Sequence, residues 1–225
     1  MLMLSRTAEQ DMRIGILGSG LMGGTLGGLF ARAGHAVTFS YSRDPRKLQR
    51  LARKAGHGAR AGTVREAAQH ADAVLLAVHW SRLPEVLRQA GDLAGRLVLT
   101  CCLPMSDDDS RLVIAHTSSG AEALAKKLPK AKLVGAFGTV PSEVLSGVYA
   151  ARRRKARPSL VYYGDDEGAK RRAASLIRDL GFEPVDAGPL RIARYVEPFT
   201  LLMAQLAYEG KGGPALAYCF ERFGA

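Results

Sequence analysis

The 225-residue chain is poor in cysteine and in long apolar runs. Its three cysteines include the adjacent pair Cys101 and Cys102, and their spacing suits neither a disulfide framework nor a metal centre. We therefore expect buried thiols and no metal. No stretch approaches the roughly 20 apolar residues of a membrane span, and residues 1–11 lack the apolar core of a signal peptide. These absences favour a cytoplasmic protein that does not enter a membrane.

Aromatic residues are also scarce, at 7%, whereas basic residues outnumber acidic ones and give a formal net charge of +11. Most basic side chains are dispersed over predicted helix faces, where solvent exposure explains them. Residues 152–157, here called the basic loop, contain four arginines and one lysine. The basic loop has no interleaved aromatic residues and no nucleic-acid-binding motif around it. We interpret it as a site that attracts anions, and we do not expect nucleic acid as the partner.

A glycine-rich segment follows the first predicted strand, residues 14–17. Its pattern is G-x-G-x-x-G, and it opens a predicted helix over residues 21–33 that leads to a second strand over residues 36–40. In this pattern the first glycine permits a tight turn, the second lets the backbone approach a pyrophosphate, and the third packs helix against strand. The pattern alone is weak, but the surrounding strands and helix are the context it requires. The segment predicts a dinucleotide site that includes Gly18, Ser19, Gly20, Leu21, Met22 and Gly23.

Strands and helices alternate along most of the chain. Further strands are predicted over residues 59–61, 73–78, 97–101 and 132–137. Thr63 and Ser119 each precede a glutamate by three residues, which is the signature of a capped helix start. Asp44 followed by Pro45 likewise predicts an N-cap and the first residue of a helix. This alternation predicts an α/β fold with a doubly wound parallel sheet of the Rossmann type.

A second βαβ unit is predicted after the first alternation ends, with strands over residues 160–163 and 182–186 around a helix over residues 167–180. Two helical segments then complete the chain: residues 190–208, which Pro198 should kink or divide, and residues 214–223. We expect two domains, an NADP-binding domain over residues 12–150 and an extension over residues 151–225 whose helices form a substrate pocket.

The end of the second strand indicates which dinucleotide binds. NAD enzymes commonly carry an acidic residue there, which accepts hydrogen bonds from the ribose 2′-hydroxyl. This chain has Ser42 and Arg43, with Arg46 and Lys47 as supporting charges. A hydroxyl and a guanidinium can bind a 2′-phosphate that a carboxylate would repel. The residues therefore favour NADP over NAD. The alternative is that Arg43 lies on the surface and Asp44 binds the ribose.

Several blocks of sequence occur here in an order known from one family. They are residues 13–23, 42–45 (SRDP), 77–80 (AVHW), 119–122 (SGAE) and 135–141 (GAFGTVP), followed by 163–166 and 186–190. Together they resemble the NADPH-dependent coenzyme F420 reductases, also called F420H2:NADP oxidoreductases. The similarity covers nearly the whole chain from Met12. The later blocks are also similar to the oxidoreductase domain of ferric reductases.

The resemblance implies direct hydride transfer between NADPH and coenzyme F420, a deazaflavin stacked against the nicotinamide. It also implies a cleft beside the nicotinamide, lined after the fourth, fifth and sixth strands by Val78, His79, Trp80, Leu103, Thr139 and Pro141. Family members commonly have histidine or asparagine before the threonine of the sixth-strand block, where this chain has Gly138. Glycine predicts a larger and less polar pocket. The phosphate and glutamate tail of coenzyme F420 would be attracted by the basic loop.

No residue pattern predicts an essential catalytic side chain, because hydride exchange between two cofactors depends mainly on positioning. His79 is either a proton donor or a structural histidine, and Trp80 either covers the nicotinamide or belongs to the core. Two other functions stay open. One is NADPH-dependent reduction of another small substrate, such as a quinone, an imine or a carbonyl compound, and the other is a non-catalytic NADP-binding redox sensor. We expect a small-molecule acceptor and a homodimer.

Overall fold

The computed structural model describes residues 11–224, and an eight-stranded sheet forms its centre. The strand order is β3-β2-β1-β4-β5-β6-β7-β8. The strands are β1 (Arg13–Leu17), β2 (Ala36–Ser40), β3 (Arg60–Ala61), β4 (Ala73–Leu76), β5 (Leu97–Thr100), β6 (Lys132–Gly135), β7 (Ser159–Gly164) and β8 (Glu183–Asp186). Strands β1 to β6 are all parallel, and β4 and β5 are completely buried, as expected for a sheet covered on both faces.

Helices cover both faces of this sheet, so the predicted doubly wound α/β architecture is confirmed. One apolar core lies under α1, α2, α6 and α7, and the other under α3, α4, α5 and the start of α8. The helices are α1 (Leu21–Arg32), α2 (Pro45–Ala55), α3 (Val64–Gln69), α4 (Leu83–Ala90), α5 (Gly120–Lys127), α6 (Ser142–Ala150), α7 (Glu167–Asp179) and α8 (Ala193–Tyr208).

The predicted helix starts form through side-chain caps. Asp44 accepts a hydrogen bond from the backbone of Arg46, and Thr63 and Glu66 cap each other's backbone groups at the start of α3. The Ser119 side chain accepts a hydrogen bond from the backbone N–H of Glu122 at the start of α5. Each cap satisfies a backbone N–H that the helix itself leaves without a partner, which typically contributes about 1 kcal/mol.

The second βαβ unit joins the same sheet, but in the opposite direction to the first part. Strand β7 is antiparallel to β6 and pairs with it through two residues only, Val134 with Gly164 and Gly135 with Tyr163. Strand β8 then runs parallel to β7, as a βαβ unit requires. The predicted all-parallel sheet is therefore correct for six strands and wrong for the β6–β7 junction, because the unpredicted helix α6 and the basic loop return the chain to the same edge of the sheet at which β6 ends.

The division of the last helix at Pro198 and the predicted helix over residues 214–223 are both wrong, whereas the alternative, a kink at Pro198, stays a prediction. Pro198 lies inside α8 without dividing it, because buried residues on both sides of it, Val196 and Thr200 among them, hold the helix against the protein. Residues 214–223 form no helix. Their backbone runs beside β7 instead, where the Ser159 amide donates to the Tyr218 carbonyl at 2.7 Å. Over residues 11–224 no helix has both the length and the apolar character needed to cross a membrane.

Candidate functional site

The glycine-rich turn between β1 and α1 has the geometry of a phosphate cradle. Gly18 has φ +124, and a Cβ there would lie 2.2 Å from the Ala77 carbonyl oxygen. A Cβ at Gly23 would lie 2.0 Å from the Gly18 oxygen, so α1 packs directly on the turn. A Cβ at Gly20, by contrast, would meet nothing within 4 Å. The open space therefore lies over Gly20, at the start of a helix that no side chain caps. Such a helix start attracts anions.

One side of the cradle opens into a cleft of 590 Å³, here called the nucleotide cleft. Three cationic side chains face it: Arg43 from the β2–α2 connection, Lys47 from the first turn of α2, and Arg82 from the turn before α4. The predicted residues that line the nucleotide cleft are Gly18, Ser19, Gly20, Ser42, Arg43, Lys47, Val78 and His79. Arg82 carried no recognisable sequence signal, because its position depends on the turn that follows β4.

Asp44 lies at the rim of the nucleotide cleft, but its carboxylate is engaged elsewhere. One oxygen accepts the Arg46 backbone N–H at 2.9 Å, and the other accepts from the Arg50 guanidinium at 3.1 Å. These bonds fix the start of α2. A ribose 2′-hydroxyl would have to compete with them, so the geometry supports Arg43 and Lys47 over Asp44 as the ribose-end contacts.

The opposite side of the cradle opens into a second cleft of 430 Å³, here called the acceptor cleft. Its floor is formed by the ends of β4, β5 and β6, and its far wall by α8, which contributes Thr200, Met203, Ala204 and Tyr208. The predicted residues that line it are Gly20, Leu21, Met22, Val78, Leu103, Thr139 and Pro141. Gly20, Ala77 and Val78 border both clefts, which therefore meet over the cradle.

Gly138 and Thr139 form the β6 side of the acceptor cleft. A Cβ at Gly138 would be no closer than 3.7 Å to any neighbour, so the space that a larger residue would fill belongs to the cleft. Thr139 is buried, and its Oγ1 is 2.7 Å from the Tyr218 hydroxyl, which also accepts the Val161 backbone N–H at 3.0 Å. Tyr218 thus satisfies a strand amide that β6 leaves unpaired, and its hydroxyl proton is available to Thr139.

His79 lies between the two clefts. Its Nδ1 accepts the Ser81 backbone N–H at 3.2 Å, which places the ring proton on Nε2 when the ring is neutral. Nε2 is 3.3 Å from the Asp109 carboxylate but makes no hydrogen bond to any residue from 11 to 224, because the two groups are misaligned. Asp109 lines the acceptor cleft on a turn where its φ is +55. The Ser81 bonds favour a structural role for His79.

The two adjacent cysteines follow β5, and Cys101 lines the acceptor cleft. Both Sγ atoms donate to the Leu76 carbonyl at 3.4 Å. Burial raises the pKa of Cys102 to about 11 and that of Cys101 well above its usual value. Both thiols are therefore neutral at physiological pH and poor nucleophiles. The expectation of buried thiols holds in part for Cys101 and Cys102, which are half-buried, and fails for Cys219, which is exposed.

A buried carboxylate that sequence reasoning missed fixes the wall of the acceptor cleft. Glu197 of α8 is 2% exposed and accepts backbone hydrogen bonds from Gly120 at 2.8 Å and Ala121 at 2.9 Å. Burial raises the pKa of Glu197 to about 7. On the preceding turn, Arg194 forms a two-pronged ion pair with Glu122 at 2.7 and 2.9 Å. These bonds attach α8 to the start of α5, and only the tertiary structure brings the two helices together.

Two of the predicted site residues lie outside both clefts. Gly23 forms the helix–strand contact that the motif assigns to it. Trp80 is half-buried and packs against the core under α3, α4 and α5, so the structure favours its core interpretation over a cover for the nicotinamide.

The fold and the cradle define a Rossmann-type dinucleotide-binding protein. Residues 13–104 match the sequence model of a family described as NADP oxidoreductase, coenzyme F420-dependent. This match confirms the resemblance noted in the sequence over the segment that contains the cradle and the nucleotide cleft, and the family's description names NADP as its cofactor.

Similar proteins cover more of the chain. Metalloreductase STEAP3 of Rattus norvegicus is 27% identical over 88% of this chain, which spans 38% of that relative's length. A candidate F420-dependent NADP reductase from Arthrobacter sp. FB24 has a similar structure, with a TM-score of 0.82 and 24% identity over 94% of this chain and all of the other. The structure of a hypothetical protein from Sinorhizobium meliloti has a TM-score of 0.72 and 27% sequence identity to this chain. The match covers 95% of this chain and 98% of the other.

More distant structures share the fold only. One is a reductive aminase from Aspergillus terreus in complex with NADPH, at a TM-score of 0.60 and 16% identity, with 87% of this chain and 61% of the other covered.

Proposed function

We propose that the chain transfers hydride between NADP(H) in the nucleotide cleft and a planar deazaflavin or flavin-like acceptor, coenzyme F420 first, in the acceptor cleft. The observation that carries this proposal is the meeting of the two clefts over Gly20, Ala77 and Val78. A dinucleotide whose pyrophosphate lies at the start of α1 would extend from the cations of the nucleotide cleft to the edge of the acceptor cleft. Its nicotinamide would then face whatever the acceptor cleft contains.

The residues present fit NADP. Gly20 leaves its backbone accessible, the start of α1 is free of a side-chain cap, and Arg43, Lys47 and Arg82 surround the ribose end of the cleft. Bound NADPH would supply the hydride, and the acceptor would take that hydride together with one proton. The protein's part is to hold the two rings in contact and to limit the access of water.

The chemistry of the acceptor cleft suits such a reaction. Its lining is mostly apolar or hydroxyl-bearing, and its thiol is neutral. Among the described residues that line it, Asp109 is the only acidic side chain. No covalent intermediate or general base is needed for hydride exchange between two cofactors. The description of the matching family names coenzyme F420, which is why we place that acceptor first.

Spectroscopy tests the proposal directly. The protein is mixed with NADPH and coenzyme F420, and the loss of deazaflavin absorbance is followed. A matched pair of variants locates the reaction: Ala204→Trp fills the acceptor cleft from α8, whereas Gln205→Trp is exposed and lies outside the cleft. We expect roughly a tenfold or greater loss of kcat/KM in Ala204→Trp, with an unchanged NADPH Kd, and little change in Gln205→Trp.

Three results would point elsewhere. Rapid reduction of a flavin, quinone, imine or carbonyl compound without reduction of F420 would assign the cleft to that substrate. Tight NADPH binding without reduction of any acceptor would favour a redox sensor. Equal losses in the two tryptophan variants would show that α8 does not form the acceptor wall.

A further inference from the structure

A groove of 460 Å³ lies at the far end of helix α6 from the acceptor cleft. It is bounded by Gly147, Ala150, Ala151, Arg153 and Arg154 and is here called the α6 groove. Small residues form its floor, and a Cβ at Gly147 would meet nothing within 4 Å. The two arginines of the basic loop thus border an open surface that an extended chain can occupy.

Among residues 11–224, the arginines that border the α6 groove have no structural partner, unlike their neighbour Arg152. Arg152 donates to the Tyr149 carbonyl at 2.9 Å and stacks 4.0 Å above the centre of the Tyr149 ring, so it completes the end of α6. Arg153, Arg154 and Lys155 are exposed, and none of them pairs with a carboxylate of residues 11–224. Their positive potential is therefore uncompensated. Helix capping accounts for Arg152 alone.

The backbone of the basic loop is held in place. The Arg152 amide donates to the Tyr149 carbonyl at 3.2 Å, and the Arg154 amide donates to the Ala151 carbonyl at 2.8 Å. A preformed backbone places Arg153 and Arg154 next to the groove before any ligand arrives, which lowers the entropy cost of binding.

Helix α6 links the groove to the acceptor cleft. Pro141 and Ser142, at the start of α6, line the acceptor cleft, and Ala150, at its end, lines the groove. A helix of nine residues is about 13 Å long at 1.5 Å per residue. A linear substituent of four or five residue-sized units covers that distance when extended.

We propose that the α6 groove binds the anionic tail of the acceptor, so that the ring lies in the acceptor cleft while phosphate or carboxylate groups contact Arg153 and Arg154. This inference rests on the proposed function, since it assigns a class to the acceptor: a planar redox ring that carries a polyanionic extension. An uncharged quinone or carbonyl substrate would have no use for this surface.

Ligand fluorescence tests the inference without turnover. The Kd of coenzyme F420 and the Kd of the same deazaflavin without its phosphate and glutamate tail are measured with the wild type and with Arg153→Gln/Arg154→Gln. The control is Arg53→Gln/Lys54→Gln, which also removes two adjacent exposed cations from a helix C-terminus, that of α2. We expect the wild type and the control to bind the tailed compound about three- to tenfold more tightly, and high salt to reduce this preference. The Arg153/Arg154 variant should bind both compounds equally.

Equal Kd values for the two compounds in the wild type would overturn the inference. An equal loss of affinity for the tailed compound in both double variants would also overturn it. Binding of a short duplex DNA that depends on Arg153 and Arg154, without a tail preference, would reassign the surface to nucleic acid. Hydride transfer is measured separately. Reduction of F420 without a tail preference overturns this inference alone, whereas tail-dependent binding of F420 without reduction overturns the proposed function.

Discussion

Gly20 and Gly23 lie three positions apart in the cradle, and glycine is needed at each for a different reason. Gly23 allows α1 to pack against the turn, where a Cβ would collide with the Gly18 carbonyl. Gly20 has an ordinary φ of −68 and open space around it, so nothing in the protein itself requires glycine there. We infer that the requirement at Gly20 comes from the ligand.

Alanine at each of these positions should therefore separate stability from binding. Gly23→Ala should lower the free energy of unfolding by about 1–3 kcal/mol, because backbone must move to admit the methyl group. Gly20→Ala should unfold like the wild type in urea but bind NADPH at least about tenfold more weakly, because the methyl group takes the place of a phosphate oxygen. Wild-type NADPH affinity in Gly20→Ala would show that the pyrophosphate lies elsewhere.

Charge at the ribose end of the nucleotide cleft should set the preference for NADP. Replacing Arg43 by glutamate removes a charge-assisted contact and adds repulsion, which should cost at least about 1.5–3 kcal/mol of NADPH binding, or tenfold to 150-fold in Kd. NADH binding should be unchanged or improved. Calorimetric titration of both nucleotides measures this, with Arg46→Glu as the control because Arg46 is exposed and does not line the cleft. Equal wild-type affinities for NADP and NAD would contradict the prediction.

At the scale of elements, helix α8 connects the sheet to the acceptor cleft. Its first turns pack on the core under α3, α4 and α5, and its later turns supply the wall residues Met203 and Ala204. Glu197 and Arg194 attach it to α5. The position of the wall therefore depends on one buried carboxylate.

The free energy of unfolding should depend on pH because Glu197 is buried. Because the folded-state pKa of Glu197 is raised to about 7, above its ordinary value near 4.5, the folded protein binds one more proton than the unfolded chain between these pH values. The contribution of Glu197 is therefore most favourable below pH 4.5 and is lost as the pH rises through 7. The nearby Glu122 carboxylate raises the pKa of Glu197 further, while the Gly120 and Ala121 amides lower it.

The matching experiment compares wild type and Glu197→Gln by urea unfolding between pH 4.5 and 7.5. The wild type should lose stability relative to the variant over this range, by something on the order of 2 kcal/mol. A pH-independent difference between the two proteins would mean that Glu197 stays ionised when folded, stabilised by the two amides of α5.

Elements that local chemistry specifies were predictable from the sequence. The first two strands, the caps at Asp44, Thr63 and Ser119, and the cradle all lie where the pattern places them, because turn glycines and capping side chains act over a few residues. The antiparallel β7 and the extended residues 214–223 were not predictable, since both depend on which strand edge stays unpaired after folding.

The residues of the two clefts also separate into those that the sequence indicates and those that only the tertiary structure brings to the site. Their floor comes from the β1–α1 turn and from residues just beyond the strand ends, so the family resemblance already implied Val78, Leu103 and Thr139. Arg82, Asp109 and the α8 residues reach the clefts through tertiary packing, and no local pattern marks them. The sequence therefore indicated the nucleotide end of the site far better than the acceptor end.

At the scale of the whole molecule, two clefts meet over one phosphate cradle, and positive charge available to anionic ligands borders the nucleotide cleft and the α6 groove. The nucleotide cleft faces Arg43, Lys47 and Arg82, and the α6 groove faces Arg153 and Arg154. This arrangement has one chemical purpose in our proposal, which is the contact of two anionic redox cofactors through their rings. Isotope transfer between those rings tests it most directly.

The measurement is a single-turnover reaction of the wild-type protein with coenzyme F420 and NADPH that carries deuterium at the transferable C4 position, in ordinary water. Direct hydride transfer predicts deuterium at the reduced carbon of the deazaflavin and a slower chemical step than with unlabelled NADPH. Ala204→Trp should form much less of the labelled product in the same time. Reduced deazaflavin without deuterium, or deuterium released into the solvent, would contradict a direct contact between the two rings and with it the central claim.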